Sequence, residues 1–193
     1  AKSGLKKVQE WNYDVILLDV SLPDGNGLRL IKEFKENNPD VCVLVVSMHW
    51  GRNYRPVSRD QERDARFLAG LDVDVIAGHH AHDIQRVEWI GRTLVLYSLG
   101  NYAWGTGGRA SMRLGLLARL RITPRVGEQR ARLRAVTLIP LVTQNSIVGF
   151  RPRTIQHIEK RWAETFLARS RARGARLKWR GTALDLELPS NLQ

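Results

Sequence analysis

The stretch Val73-Asp74-Val75-Ile76-Ala77-Gly78-His79-His80-Ala81-His82 places three of the chain's five histidines directly after an apolar run. The run predicts a buried β-strand, with the histidines at its carboxyl end. Because residues two apart in an extended segment project to the same side, we expect His80 and His82 to present two imidazoles to one ion. His49 follows a similar run at residues 41–46 and would join them if the two strands are parallel neighbours. The pattern predicts a metal site formed by His49, His80 and His82.

The other two histidines have less specific interpretations. His79 is expected to hydrogen-bond either the backbone or a substrate oxygen. His157 lies in a basic stretch with helical character, where a surface or capping role is expected.

The periodicity of apolar residues predicts an α/β fold with three layers and parallel βα units, flavodoxin-like at its start. Residues 15–18 form a continuous apolar run, as expected of a strand covered on both faces, and Leu28, Ile31 and Phe34 follow helical spacing. The predicted elements of the first half, in chain order, are helix 4–11, strand 14–20, helix 27–37, strand 41–47, helix 59–71 and strand 73–77. They are followed by a hairpin or two neighbouring short strands at 85–90 and 93–99, an antiparallel pair at 114–122 and 133–141, helix 155–173, and strand 184–188 added to that pair.

Length and composition predict one large soluble domain. The chain has 193 residues, of which 43% are hydrophobic and 26% are charged, enough for a sizeable core. No apolar stretch approaches the ~18 residues of a membrane span and no signal-peptide core is present, so the chain as it stands is expected to be cytoplasmic. The single cysteine, Cys42, excludes an internal disulfide and is expected to be a small core residue.

The net charge of +12 is distributed unevenly. Residues 1–48 carry six Lys/Arg and seven Asp/Glu, whereas the remaining residues carry 25 and 12. Five of the seven lysines but one of the 24 arginines lie in residues 1–48. Because Lys and Arg solvate a helix face about equally well, this change of cation suggests two segments of different ancestry, joined near Met48.

The segment Tyr13-Asp14-Val15-Ile16-Leu17-Leu18-Asp19-Val20-Ser21-Leu22-Pro23-Asp24-Gly25-Asn26-Gly27 resembles the phosphoacceptor strand and loop of response-regulator receiver domains. By that resemblance Asp19 occupies the phosphoacceptor position, and Ser47 matches the hydroxyl residue that ends the following strand. Pro23 and Gly27 match the loop. The family's first strand, with its magnesium-binding acidic residues, and its switch lysine have no counterpart here. Phosphotransfer is therefore not implied, because the phosphoryl oxygens would lack their neutralising partners.

Three later stretches resemble the CapA family of capsule and poly-gamma-glutamate biosynthesis proteins, which have a calcineurin-like metallophosphoesterase fold. They are His49-Trp50-Gly51 with Asn53-Tyr54, then residues 75–82, then Tyr97-Ser98-Leu99-Gly100-Asn101-Tyr102. The resemblance runs from about residue 45 to residue 188 and implies that a mixed sheet of metallophosphoesterase type follows the parallel units. It implies metal-ligand roles for His49, His80 and His82 and places Asn101 in a loop near the site. The candidate catalytic residues are therefore Asn101 and, through its possible contact with a substrate oxygen, His79. The family's N-terminal metal motifs have no counterpart before His49.

Both families run a parallel strand into a Ser-x-His type of ending, so the sequence around Ser47 and His49 is a natural junction. We therefore interpret residues 1–193 as one composite domain with a chimera-like origin. Its parts are a receiver-like βαβ segment at residues 1–48 and a CapA-like segment at residues 49–193. The two offer compatible α/β geometry, so the chain is expected to fold.

Three functions remain open from the sequence. The first is a truncated CapA-like domain that binds one divalent metal ion of unknown identity and has weak or no hydrolase activity. Any activity would be that of a metal-dependent phosphoesterase, with Asp19 or Asp24 available as an oxygen ligand. The second is a non-enzymatic chimeric α/β scaffold, and the third is a basic protein that binds polyanions.

The expected partners follow from these alternatives. A phosphoester or an anionic polymer would suit the metal site or the arginines, and without a nucleic-acid motif we expect no specific nucleic-acid binding. The missing first strand would leave an exposed sheet edge, which favours a homo-oligomer. The arginines that suggest polyanion binding are Arg130, Arg132, Arg134, Arg151, Arg153, Arg169, Arg171, Arg173, Arg176 and Arg180.

Overall fold

The computed structural model describes residues 6–7, 10, 13–22, 25–27, 30–33, 43–103, 113–127 and 129–192. The described residues within segments 4–11 and 27–37 are helical where those helices were predicted. Pro23, Asp24, Phe34 and Cys42 lie outside the described residues. None of the helices that the structure describes is long and apolar enough to cross a membrane.

The first sheet carries the predicted parallel units. Its strands are β1 (Val15–Asp19), β4 (Val43–Trp50), β5 (Val75–His80), β6 (Val87–Ile90) and β7 (Thr93–Leu96), and a short separate hairpin is formed by β2 (Ser21–Leu22) and β3 (Gly25–Asn26). The order is β1-β4-β5-β7-β6, and β6 alone among these strands runs antiparallel to its neighbour. The predicted junction near Met48 falls inside β4, a central strand of this sheet.

The second sheet is antiparallel and contains the predicted pair. Its strands are β8 (Leu114–Thr123), β9 (Arg132–Val142), β10 (Arg153–Thr154), β11 (Leu177–Arg180) and β12 (Ala183–Leu186). The long β9 pairs with β8 on one side, and with β12 and β10 on the other. The last predicted strand is confirmed as β12, but β11 was not predicted. Its four residues include two exposed cations, too few apolar positions to show a strand pattern.

The helices pack beside the sheets. They are α1 (Arg59–Ala69), the single turn α2 (Asn145–Val148) and α3 (Glu164–Arg171), with 3₁₀ turns at His157–Ala163 and Ser190–Leu192. Helix α1 begins with a capping box in which Ser58 and Gln61 satisfy each other's backbone N–H groups.

The predicted helix at 155–173 is shorter and begins as a 3₁₀ helix. Ile155 still belongs to the sheet, because its N–H donates to the carbonyl of Pro140. Glu159 then accepts from the N–H of Gln156 at 2.7 Å and pairs with Arg153, which ties the first turn to β10. His157 is exposed on this turn, in agreement with a surface role.

The hydrophobic core has two parts on opposite faces of the first sheet. One lies between the two sheets and includes Val43, Val45, Val75, Leu94, Leu138, Phe166 and Leu184. The other lies against α1 and includes Leu44, Val46, Met48, Ile76, Ala65 and Leu68. Alternate residues of β4 therefore pack into different parts of the core. Both faces of the strand are buried, which explains its continuous apolar sequence.

Strand β1 lies at the end of the first sheet, with no described strand along its outer edge. Its side chains Val15 and Leu17 are 42% and 73% exposed, although they share a face with the buried Val43 and Val45. An exposed apolar edge strand is a template for pairing with another chain.

We expect this edge to support self-association. Leu17→Lys should lower the association constant at least about tenfold, because a charge on an edge strand opposes pairing. Multi-angle light scattering over a concentration series measures the effect, and Phe67→Lys, an exposed apolar position on α1, is the control. A parent protein that stays monomeric at every concentration would contradict the expectation.

Candidate functional site at the carboxyl ends of β4 and β5

The parallel register of β4 and β5 brings the histidines together. His49 lies opposite His79, and their ring centroids are 5.0 Å apart in an edge-to-face arrangement. Ser47, two residues before His49, places its Oγ 3.1 Å from Nε2 of His79. The predicted meeting of His49 with the later histidines at one sheet edge is therefore what the structure shows.

His80 reaches His49 through an unusual backbone conformation. It is the last residue of β5 and has a φ of 92°, and His82 has a φ of 54°. Positive φ at a residue other than glycine costs about 1–3 kcal/mol and persists where the surroundings enforce it. The rings of His49 and His80 are 4.3 Å apart, and those of His80 and His82 are 6.2 Å apart. The alternation of an extended strand, on which the prediction rested, is therefore not what brings His80 and His82 together.

His82 is oriented by Asn101. Its Nδ1 lies 2.7 Å from Oδ1 of Asn101, and because an amide oxygen can only accept, Nδ1 carries the proton. The amide of Asn101 also donates to the backbone carbonyl of His82 at 3.5 Å. This leaves Nε2 as the nitrogen of His82 that can bind a metal. Asn101 was a candidate catalytic residue in the sequence analysis. Because it acts through His82, its role in the structure is to position that ring.

Tyr54 was assigned no role from its place in the sequence. Its ring lies 5.8 Å from that of His82, and its N–H donates to the carbonyl of Ala81 at 2.7 Å. Tyr54 therefore holds the loop after β5 against the loop after β4. The sequence feature that could have pointed to Tyr54 is its position next to Asn53 in the first CapA-like stretch.

Close packing beneath the histidines holds β5 in position. A Cβ on Gly78 would overlap the carbonyl oxygen of Tyr97 and Nε1 of Trp50. The indole N–H of Trp50 donates to that carbonyl at 2.8 Å, and the two aromatic rings stack 5.7 Å apart. Only glycine permits this approach of β5 to its neighbours.

Burial and mutual repulsion favour neutral imidazoles at this edge. Burial lowers the pKa of His79 below its usual value, the charge of His49 lowers it further, and Asp19 opposes them. Burial likewise lowers the pKa of His80, with His49 and His82 adding to the effect. A neutral imidazole is the form that binds a metal ion.

Asp19 lies on the far side of Ser47 from the histidines. It ends β1 in register with Ser47, and its charge reaches His79. The receiver-like phosphoacceptor position and the CapA-like histidines therefore share one edge of the sheet.

The donor atoms suit a divalent metal, but the set is incomplete. Neutral imidazoles and a ring nitrogen freed by Asn101 are the chemistry that a metal such as zinc prefers. Within the described ranges, however, no group of three or more His, Cys, Asp or Glu side chains is placed to hold a metal ion. This edge of the sheet therefore gathers nitrogen donors without a complete set of ligands among the described residues.

Comparison with known proteins supports the CapA-like interpretation. A family described as "Bacterial capsule synthesis protein PGA_cap" matches residues 12–106, just under half of the chain. The chain is 36% identical over 66 residues to "PGA biosynthesis protein CapA" of Bacillus subtilis, covering 34% of the chain and 17% of the relative. It is 34% identical over 98 residues to "Capsule biosynthesis protein CapA" of Bacillus anthracis, covering 50% of the chain and 21% of the relative.

A second similarity is to response regulators. The chain is 36% identical over 75 residues to "Transcriptional regulatory protein DegU" of Brevibacillus brevis, covering 39% of the chain and 32% of the relative. The chain spans less than a third of the length of the CapA relatives and about a third of this one. Different segments of the chain are thus similar to a response regulator and to CapA proteins, and the chain contains a CapA-like capsule-biosynthesis domain in partial form.

Proposed function

We propose that the partial CapA-like domain binds one divalent metal ion through His80 and His82, with His49 as a further ligand, and has weak or no hydrolase activity. The observation that carries the proposal is the hydrogen bond between Nδ1 of His82 and Oδ1 of Asn101 at 2.7 Å. Metal-binding histidines usually donate their second N–H to an oxygen in this way, because it fixes the ring and its tautomer. The positive φ angles of His80 and His82 also support the proposal, because strained backbone conformations cluster at ligand sites.

The other residues at the edge would support this site. Ser47 holds the ring of His79, which leaves His79 beside His49 and in position to contact a substrate oxygen. A bound divalent ion would polarise a phosphoryl oxygen and lower the pKa of a bound water. With fewer than three ligands placed among the described residues, we expect phosphoester hydrolysis that is slow or absent.

Metal content is the test of this proposal. Mass spectrometry on tag-free protein should find near-stoichiometric metal in the parent and at least about tenfold less in His80→Ala/His82→Ala, because two ligands are removed. His157→Ala, which removes an exposed histidine of the 3₁₀ turn, should retain the parent's metal. Equal trace metal in all three proteins would overturn the proposal.

A second candidate function is a non-enzymatic scaffold with the histidines as remnants. It is favoured by the incomplete ligand set among the described side chains. The same measurement separates the two, since a scaffold predicts trace metal in the parent as well as in the double variant.

A further inference from the structure

A cavity of about 250 Å³ lies at the edge of the first sheet where β5 and β7 begin, opposite the edge that carries the histidines. It is bordered by the end of α1, the residues before β5, the turn between β6 and β7, and the connection that precedes β9. The polar side chains that line it are Asp72, Asp74, Arg92, Thr93 and Arg130. Cavities for drug-sized ligands measure about 300–1,000 Å³, so this one suits a small ion or metabolite.

Arg130 brings an unmatched donor to the cavity. Its Nη2 lies 3.6 Å from Oδ1 of Asp74, which makes an ion pair that is too long for a hydrogen bond. Its Nε is buried and has no hydrogen-bond partner among the described residues. A buried donor on a charged group is costly to leave unmatched, so this nitrogen favours a ligand that accepts a hydrogen bond.

Arg92 supplies a second cation at the mouth of the cavity. It is exposed in the turn that joins β6 to β7, directly after Gly91, which has a φ of 59°. Two guanidinium groups around one small volume are the chemistry with which proteins recognise an oxyanion.

The remaining polar side chains of the cavity are acceptors. The hydroxyl of Thr93 donates its proton to the carbonyl of Val73 at 2.6 Å, which leaves only its lone pairs for a ligand. Asp74 is already engaged, because its Oδ2 accepts from the N–H of Leu44 at 2.9 Å. Asp72 is exposed beside the cavity and is the carboxylate left to accept from a ligand. A ligand that matches this lining carries anionic oxygens and also an O–H group.

We propose that this cavity binds hydrogenphosphate, as the free ion or as the phosphate group of a small metabolite. Its anionic oxygens accept from Nε of Arg130 and from Arg92, and its O–H group donates to Asp72. Sulfate has the same shape but keeps no proton at neutral pH, so a carboxylate beside it repels it with no hydrogen bond in return. The site is independent of a metal ion at the histidines, because those lie at the opposite edge of the sheet.

Isothermal titration calorimetry with sodium phosphate tests the proposal, at constant ionic strength and with a chelator that keeps the histidines free of metal. Arg130→Gln should raise the dissociation constant at least about tenfold, because it removes the buried charged donor. Arg92→Gln, at an exposed position where the fold is not at risk, should raise it at least about threefold. The matched control is Arg132→Gln, an exposed arginine two residues beyond Arg130, and should change it less than about twofold. Equal losses in all three variants would show a general charge effect and overturn the proposal.

Selectivity between phosphate and sulfate gives an independent check. The parent should bind phosphate at least about tenfold more tightly than sulfate, and Asp72→Asn should reduce this preference at least about threefold by strengthening sulfate binding. Asparagine tolerates the φ of 55° at this position, and a gain of sulfate binding is an effect that misfolding cannot imitate. Sulfate binding as tight as phosphate binding in the parent would overturn the proposal.

The same titration with glycerol phosphate, at a mildly acidic pH where both ligands keep a proton, distinguishes the two sources of the phosphate group. Tighter binding than that of inorganic phosphate would assign the cavity to a phosphorylated metabolite, and weaker binding would assign it to the free ion. Failure of both ligands to bind the parent would overturn the proposal and would leave the metal-content test of the histidines unaffected.

Discussion

Replacing Gly78 with alanine is expected to lower the free energy of unfolding by about 3–5 kcal/mol. The new methyl group would overlap the carbonyl oxygen of Tyr97, which directly follows β7, and Nε1 of Trp50, which ends β4. Relieving the overlap requires β5 to move away from β7, which breaks the buried hydrogen bond between Trp50 and Tyr97. Because β5 carries His79 and His80, the histidines would be displaced as well.

Urea unfolding followed by circular dichroism measures this loss, and Gly70→Ala is the matched control. Gly70 ends α1 at a φ of −66°, and the nearest atom to its new Cβ is a carbonyl oxygen 3.3 Å away. The control should change stability by less than about 1 kcal/mol, since alanine accepts this conformation. A loss at Gly78 no larger than that at Gly70 would show that the strands can separate without cost.

Arg86→Met is expected to cost about 3–5 kcal/mol, because it leaves the buried carboxylate of Glu88 without its nearest cation. Arg173 remains 2.9 Å from Glu62 and 4.0 Å from Glu88. The side chains of Arg86 and Glu88 are each 10% exposed, and that of Glu62 is 20% exposed. Arg86 pairs with Glu62 at 2.6 Å and with Glu88 at 3.3 Å, and its guanidinium lies 4.6 Å above the ring of Tyr97. The hydroxyl of Tyr97 in turn donates to Glu88 at 2.6 Å.

The matched control for Arg86 is Arg63→Met. Arg63 also pairs with two carboxylates, Asp60 at 2.8 Å and Asp64 at 3.0 Å, but its side chain is 68% exposed. Exposed pairs contribute at most about 1 kcal/mol, so the control should be nearly neutral in urea unfolding. Similar losses at the two arginines would mean that the buried network does not stabilise the fold.

Acidity should reduce the difference between the parent and Arg86→Met. The hydrogen bond from Arg86 lowers the pKa of Glu62, against the opposing effect of burial, and the charges of Arg86 and Arg173 lower it further. A carboxyl whose pKa is lower in the folded state stabilises above its unfolded pKa of about 4.3, and this contribution is lost as pH falls through the folded pKa. Unfolding measured between neutral and acidic pH should therefore show the two proteins converging.

Most of the first sheet was predictable because the information is local. The runs at residues 43–46 and 75–77 are apolar on both faces, so they predict buried parallel strands. The meeting of His49 with His79 and His80 follows from that prediction, since parallel neighbours end at one edge. The left-handed backbone at His80 was not predictable, because histidine has no strong preference for it and the surrounding strands impose it.

The sequence by itself determined the α/β class, the parallel strands, the likeness of the chain to two kinds of protein and the grouping of histidines at one sheet edge. These features depend on periodicity and on short motifs, and both are defined by residues that lie close together in the sequence. Only the tertiary structure decided that Asn101 orients His82, that Arg86 joins carboxylates of α1 and β6, and that exposed cations from β8, β9 and β11 share the outward face of the second sheet. Such contacts join residues far apart in the chain, and their geometry exists only after the two sheets have packed against each other.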